Sequence, residues 1–233
     1  WWYLGPFSIG PREGITGLDF DFYHEIFIPD TTVNYPNFLV KGGFVKWKRI
    51  HTTNGTVEIK YENVEWDTIR NYYGVAGLIS MSIAYAEIES KERKNVLINA
   101  ENLGSFILNG RIYPGDVYRD KYVWIPVVLK KGKNKIAIRP TGYGEHSFSF
   151  RITTKAEPLM IIKDITIPDF IQGESYSGYM GVPIMNTTEQ ILSNVKIEIY
   201  GDEILRSKRE ISKIMPLSVI KVPVTLNSRY KIE

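Results

Sequence analysis

Residues 96–139 decide the fold of this chain and read VLINAENLGSFILNGRIYPGDVYRDKYVWIPVVLKKGKNKIAIR. Within them, two short apolar runs at 106–108 and 112–113 are separated by Asn109-Gly110. Asn-Gly between apolar runs is typical of a β-hairpin, because both residues tolerate the positive φ angles of a type I′ turn. Two further β-rich runs, 123–129 and 135–139, flank a turn centred on Gly132. The stretch therefore predicts antiparallel β-structure.

Short strand patterns continue on both sides of this stretch. Residues 43–50 and 147–153 alternate between apolar and polar, and 72–89 is predicted to form one long strand or two. A single short turn of helix is predicted within 65–73. Many short strands separated by turn signals predict an all-β fold, namely a β-sandwich or barrel.

The pattern restarts after a linker at 155–158, which predicts two domains. The first spans 1–154 and the second 159–233. The second contains about five predicted strands where an immunoglobulin-type sandwich needs about seven. We therefore expect this domain to be incomplete, with the parent polypeptide continuing past Glu233.

Composition excludes several classes of protein. The net charge is only +3, and the basic run 130–135 is interpreted as an exposed turn, since no ladder of aromatic residues accompanies it for stacking on bases. We therefore expect no nucleic-acid partner. No run is long enough to span a bilayer. The chain has no cysteine, which excludes disulfides, thiolate zinc sites and cysteine nucleophiles. It begins with Trp1 and shows no leader, so we expect a processed product or a fragment.

No catalytic constellation can be identified, so we predict that this chain alone is not an enzyme. The segment 173–178 superficially matches a serine-hydrolase elbow, but its spacing is wrong and it follows no strand-to-helix pattern. No pair of carboxylates stands out for glycoside hydrolysis. We predict no cofactor. The alternative is a structural calcium ion held by Asp19, Asp21 and Glu25, although strict alternation favours placing both aspartates on the solvated face of a strand.

Aromatic residues near turns are the main candidates for ligand binding. The candidate set is Trp66, Tyr72, Tyr73, Tyr143 and His146. Such rings could stack on the faces of sugars. The favoured interpretation is that they bury against a neighbouring domain or the core, since tyrosine and tryptophan are enriched at interfaces.

The first seven residues, WWYLGPF, resemble the W-x-x-x-G-P-F opening of a galactose-binding-like jelly-roll domain that precedes many hydrolases. His24-Glu25, the segments 45–47, 82–86 and 108–110, and the run 127–134 match in the same order. The second part resembles the small Ig-like β-sandwich modules that follow such domains. Related calcium-dependent sugar-binding members carry an Asp-Asp pair where this chain has the segment 99–102 (NAEN), so the resemblance does not extend to that site.

The resemblance implies a non-catalytic accessory region of a larger, exported hydrolase. Such a region would position or gate a catalytic domain of the same polypeptide or another subunit, or mediate assembly, in the extracellular space or cell envelope. One alternative is a carbohydrate-binding module that uses the loop aromatics to hold a glycan. A second alternative is a structural cell-envelope protein. Asn54 and Asn186 lie in glycosylation sequons, which matter only if the source glycosylates its exported proteins.

Overall fold

The computed structural model describes residues 1–8, 28–52 and 54–231. Strands account for 54% of the structure and helices for 6%, which confirms the predicted all-β fold and is consistent with a β-sandwich. In the first half, the strands are β1 (Trp2–Ser8), β2 (Tyr35–Pro36), β3 (Phe44–Val45), β4 (Lys48–Arg49), β5 (Thr56–Ile59), β6 (Ile79–Ser90), β7 (Lys94–Glu101), β8 (Ser105–Leu108) and β9 (Arg111–Pro114). The one helix of the described residues is α1 (Trp66–Tyr73), which a 3₁₀ turn at Val75–Leu78 follows.

The second half continues the same antiparallel pattern. Its strands are β10 (Ile125–Leu129), β11 (Gly132–Ile138), β12 (Thr141–Tyr143), β13 (His146–Thr153), β14 (Leu159–Ile161), β15 (Ser177–Asn186), β16 (Leu192–Ile199), β17 (Ser207–Ile214) and β18 (Ser218–Asn227). Among the described residues, no helix is long and apolar enough to cross a membrane.

The strands of the described residues form five sheets. The largest has the order β4-β1-β6-β11-β8-β9, with β12 also paired to β6. A four-stranded sheet has the order β10-β7-β13-β5, and β2 pairs with β3. In the last third of the chain, one sheet has the order β14-β15-β18 and another consists of β16 and β17.

The chain divides into two compact units. The first comprises Trp1–Lys94, Ile98–Trp124 and Leu129–Ile152, and the second comprises Asn95–Leu97, Ile125–Val128 and Thr153–Glu233. The domain boundaries at 154 and 159 and the incompleteness of the second domain stay predictions.

The predicted hairpin at Asn109-Gly110 is confirmed. β8 and β9 pair in register, with Leu108 opposite Arg111. Asn109 and Gly110 have φ angles of 50° and 80°, the left-handed values that a type I′ turn requires. This turn lies at the edge of the largest sheet, where β8 pairs with β11.

Strand β6 runs through the middle of the largest sheet and is buried on both faces over residues 80–85. On one face, Ile83 and Tyr85 belong to a core cluster with Leu4 of β1 and Ala137 of β11. Val45 and Trp47, from the segment that carries β3 and β4, complete this cluster. The short strands at 43–50 therefore cover the sheet, which explains why Trp47 is buried although its own strand is interrupted.

The start of the run 72–89 is a correction to the sequence analysis. Residues 72–78 were predicted as strand, but they form the end of α1 and the 3₁₀ turn. Gly77 is the reason: a Cβ there would lie 2.6 Å from the Cβ of Tyr73 and 3.1 Å from the side chain of Ile69. The small residue lets the chain fold back on the helix, and the strand begins only at Ile79.

The core of the second unit lies between its two sheets. β15 and β18 contribute Val182, Ile184, Val222 and Val224, and the facing strands contribute Ile197 and Ile214. The opposite face of β16 and β17 is charged: Glu198 pairs with Arg206 and Lys208 at 2.6 Å and 2.8 Å. Period-two alternation thus separates core from solvent, as the sequence of these strands predicts.

Candidate functional site

Helix α1 presents two of the predicted aromatic residues to solvent. Its buried side chain, Ile69, faces the protein. Gly74, with a φ of 66°, ends the helix, and its N–H donates to the carbonyl of Arg70 at 2.8 Å. Tyr72 and Tyr73 therefore lie in the last turn, where their side chains are 81% and 62% exposed.

Tyr143 lies beside the end of the 3₁₀ turn that follows α1. It is the last residue of β12, stands opposite Ile79 in the sheet and is 66% exposed. The next residue, Gly144, has a φ of 66° and donates its N–H to the carbonyl of Leu78 at 3.1 Å. Tyr73 packs on Gly77, and Tyr143 stands opposite Ile79, only two residues further along the chain. Tyr73 and Tyr143 therefore lie in the same region of the surface. We call Tyr72, Tyr73 and Tyr143 the aromatic surface.

Trp66 supports this surface from the first turn of α1. Its side chain is half-buried, and its Cε2 lies 4.0 Å from where a Cβ on Gly144 would stand. Its ring is tilted against that of Tyr61, with the ring centroids 6.2 Å apart. Trp66 thus lies against the turn that follows Tyr143, where its fluorescence would report on changes at the surface.

His146 is buried under the turn, with only 5% of its side chain exposed. Its Nε2 lies 3.3 Å from the hydroxyl of Ser80, and its ring meets Tyr61 edge-on at 5.4 Å. Nδ1 has no hydrogen-bond partner and faces Gly142, where a Cβ would approach it to 3.1 Å. Burial lowers the pKa of His146 to about 4, against the opposing effect of hydrogen bonds with the backbone of Glu145 and Ser80.

Three residues of this site did not emerge from the sequence analysis. Ser80 and Ser82 are fully buried on β6, and Ser82 shares a hydrogen bond with the hydroxyl of Tyr61. Burial raises the pKa of Tyr61, so its phenol stays neutral. The available signal was the recurrence of serine at every second position of a strand buried on both sides, because a buried hydroxyl needs a partner.

The predicted metal ligands Asp19, Asp21 and Glu25 lie outside the described residues. Among the residues that are described, no three acidic or histidine side chains form a group that could hold a metal ion. In the segment 99–102, Glu101 forms an ion pair with Arg151 at 2.9 Å. The next residue, Asn102, donates to the carbonyl of Ser147.

The described residues also line clefts elsewhere on the surface, of which two are relevant here. One, of about 240 Å³, lies in the first unit beside Tyr3, Val45 and Lys46. The other, of about 430 Å³, lies in the second unit between Phe170 and Tyr230. Neither contains a residue of the aromatic surface.

Of the two sequons, Asn54 is exposed whereas Asn186 is fully buried. The amide nitrogen of Asn186 donates to the carbonyls of Gln190 and Met215 at 2.7 Å and 3.0 Å. The folded chain therefore offers Asn54 but not Asn186 for modification.

No protein-family model matches this chain, and no curated protein matches it significantly. Exposed aromatic rings on a rigid turn can stack on an apolar ligand face, whereas the hydroxyl of Ser80 is shielded from any substrate.

Proposed function

We propose that this chain is a non-catalytic accessory region of a larger, exported hydrolase. In this role, it packs against a catalytic domain of the same polypeptide or of another subunit, and it positions or gates that domain or mediates assembly. The similarity of the first seven residues to galactose-binding-like jelly rolls, and of the second part to Ig-like modules, supports the proposal. The all-β architecture is compatible with both modules.

The observation that carries the proposal is a run of exposed apolar side chains in the second unit, which we call the apolar edge. Within thirteen residues, six large apolar side chains are between 38% and 62% exposed: Leu159, Ile161, Ile165, Ile167, Phe170 and Ile171. Residues 159–166 follow the edge of the sheet, because Ile161 pairs with Ile184 and Thr166 pairs with Gly181.

Such an edge is costly to leave in water. Fully burying one isoleucine side chain is worth about 1.5–3 kcal/mol, and proteins normally cover or charge their edge strands. Apolar side chains concentrated on one exposed segment mark interaction sites. A second folded domain that packs on residues 159–171 would bury them, as expected for a region that holds a catalytic domain in place.

The proposal is tested by expressing the chain and the remainder of its full-length protein separately and measuring their association by sedimentation. We expect Ile165→Glu/Ile167→Glu to weaken association at least about tenfold, because two charges would be buried. The control is Ile191→Glu/Leu205→Glu, at similarly exposed positions of the same unit. Equal binding by both variants, or hydrolysis of a substrate by the chain alone, would contradict the proposal.

The exposure of the aromatic surface favours a second candidate function, carbohydrate binding. Tyr72, Tyr73 and Tyr143 are each more than 60% exposed, although aromatic side chains usually bury much of their large ring surface. Tyr73 and Tyr143 each precede a glycine with a φ of 66°, namely Gly74 and Gly144. Sugar faces present C–H groups that pack on such rings, while neighbouring polar groups bind the hydroxyls.

This second function is tested by titrating the chain with a panel of neutral polysaccharides while following tryptophan fluorescence. We expect a shift that Tyr73→Ala and Tyr143→Ala each reduce. Tyr118→Ala is the control, because Tyr118 is also an exposed tyrosine, at 86%, but lies on a different loop. If no polysaccharide changes the fluorescence, or if the control reduces the shift equally, the aromatic surface does not bind sugar.

A further inference from the structure

Two neighbouring turns of the first unit bring seven of its basic residues together. One turn joins β6 to β7 and the other joins β10 to β11. They lie side by side because β6 and β11 pair in register, with Gly132 opposite Ser90 and Lys133 opposite Glu89. We call the cationic residues of these turns the basic tip: Lys91, Arg93, Lys94, Lys130, Lys131, Lys133 and Lys135.

The charge of the basic tip exceeds that of the whole chain. Its seven cations are accompanied by three carboxylates, those of Glu87, Glu89 and Glu92, which leaves four positive charges. The net charge of the protein is +3, so the remaining residues together are slightly acidic. Five of the seven cationic side chains are exposed, namely all but Lys94 and Lys135, which are half-buried. The positive charge is therefore concentrated at one end of the sheet and directed to solvent.

The basic tip is also held rigidly. Asn134, which is fully buried, accepts a hydrogen bond from the N–H of Lys130 at 2.9 Å and donates to the carbonyls of Lys130 and Gly132 at 2.9 Å and 3.1 Å. Its Oδ1 also accepts from Asn109 at 2.8 Å, which ties the β8–β9 hairpin to the same point. In the other turn, Ser90 donates to the carbonyl of Glu92 at 2.7 Å.

A turn that needs only solubility does not need a buried asparagine to fix its backbone. Fixed backbone lowers the entropy that is lost when several cations bind one partner at the same time. Cations concentrated on one rigid surface attract a polyanion and raise its rate of association. The basic tip thus has two properties of a binding surface for a repeating anion, namely concentrated charge and preorganisation.

We infer that the basic tip binds an acidic polysaccharide, a polymer that carries repeated carboxylate or sulfate groups. The segments 87–94 and 130–135 contain no aromatic residue for stacking on bases, which disfavours single-stranded nucleic acid. They contain Ile88 as their one large apolar residue, and its side chain is half-buried, which disfavours insertion into a lipid surface. This site extends the proposed function to a second surface and does not depend on the aromatic surface.

The inference is tested by measuring the binding of polygalacturonate and dextran sulfate to the intact chain, with neutral dextran as a reference, at about 50 mM salt, where charge interactions are only moderately screened. We expect at least one acidic polymer to bind and neutral dextran not to bind at the tip. Lys91→Gln/Lys131→Gln should weaken binding of the acidic polymer about tenfold, because it removes two positive charges from the basic tip. Both side chains are exposed and neither forms part of the core, so we expect the variant to fold.

The control is Lys155→Gln/Lys163→Gln, which removes the same charge from two exposed lysines of the second unit. We expect it to change affinity less than about twofold. Circular dichroism checks that both variants are folded. The inference is overturned if neither acidic polymer binds, if the control weakens binding as much as the tip variant, or if single-stranded DNA binds more tightly than both polysaccharides and depends on the same lysines. Loss of sugar binding by the aromatic-surface variants leaves this result unaffected, so the two proposals fail separately.

Discussion

Protonation of His146 should destabilise the first unit as the pH falls. In the folded chain, burial lowers the pKa of this imidazole from 6.5 to about 4. The unfolded chain therefore binds the proton more readily than the folded chain. Stability from the neutral ring is fully present above about pH 6.5 and is lost as the pH falls toward 4. A difference of this size corresponds to about 3 kcal/mol at 1.36 kcal/mol per pKa unit.

The contacts around the ring explain why the charge cannot be accommodated. Nε2 lies beside the hydroxyl of Ser80, Nδ1 has no hydrogen-bond partner, and burial lowers the pKa of His146 by more than the backbone of Glu145 and Ser80 raises it. The titratable groups on the packed elements are Tyr61, which faces the ring edge-on, and the adjacent Glu145. Burial raises the pKa of Tyr61, so its neutral phenol offers no balancing negative charge.

Urea denaturation between pH 7.5 and 4 provides the assay. We compare the wild type with His146→Gln, which keeps a hydrogen-bonding group but does not titrate in this range. The free energy of unfolding should fall by about 3 kcal/mol more in the wild type than in the variant over this interval. The control is His51→Gln, at an exposed histidine, which should follow the wild type. Equal pH slopes for the wild type and His146→Gln would refute the reasoning, and so would an NMR titration that gives His146 an ordinary pKa near 6.5.

Two further predictions concern stability. Phe106→Ala should lower the free energy of unfolding by about 3–5 kcal/mol, because Phe106 is fully buried between Tyr113 and Phe150. Urea denaturation checks this, with Phe38→Ala at an exposed position as the control. A loss below about 1 kcal/mol would be inconsistent with the packing. Asn134→Ala should lower the free energy of unfolding by about 2–3 kcal/mol and speed hydrogen exchange at the amide of Lys130. The reason is that this amide and the carbonyls of Lys130 and Gly132 lose their hydrogen-bond partner. Unchanged exchange would show that the turn is held by other contacts.

Much of the fold could be predicted from local sequence signals. Asn109-Gly110 predicted its hairpin because the backbone requirement of the turn is local and only a few residue types meet it. Alternation at 147–153 predicted β13 for a similar reason, since the side chains of a strand separate onto two faces. The turn near Gly132 was also expected, although β11 begins at Gly132 itself and the turn is therefore shorter.

The parts that could not be predicted depend on distant contacts. The apolar and aromatic residues of 72–78 favour strand locally, but Gly77 lets this segment fold back onto α1. Likewise, the environment of His146 depends on Ser80, which is 66 residues away. The candidate ligand set placed exposed and buried residues together for this reason: Tyr72 and Tyr143 are exposed, whereas His146 is buried.

The basic run 130–135 shows the same limit. In the sequence, it is one short charged turn, and a solvated turn is the simplest interpretation. Only the pairing of β6 with β11 places it beside Lys91 and Arg93. The side chain of Asn134, which joins the β10–β11 turn to the β8–β9 hairpin, also has no signature in the sequence.

The central claim is that this chain packs against a catalytic domain through the apolar edge. Hydrogen exchange tests it most directly, because the same amides can be followed in the isolated chain and in the full-length protein or its assembly. The account predicts slower exchange across residues 159–171 in the full-length protein, with unchanged exchange across β16 and β17, which form a separate sheet. Identical exchange at 159–171 in both preparations would contradict the claim.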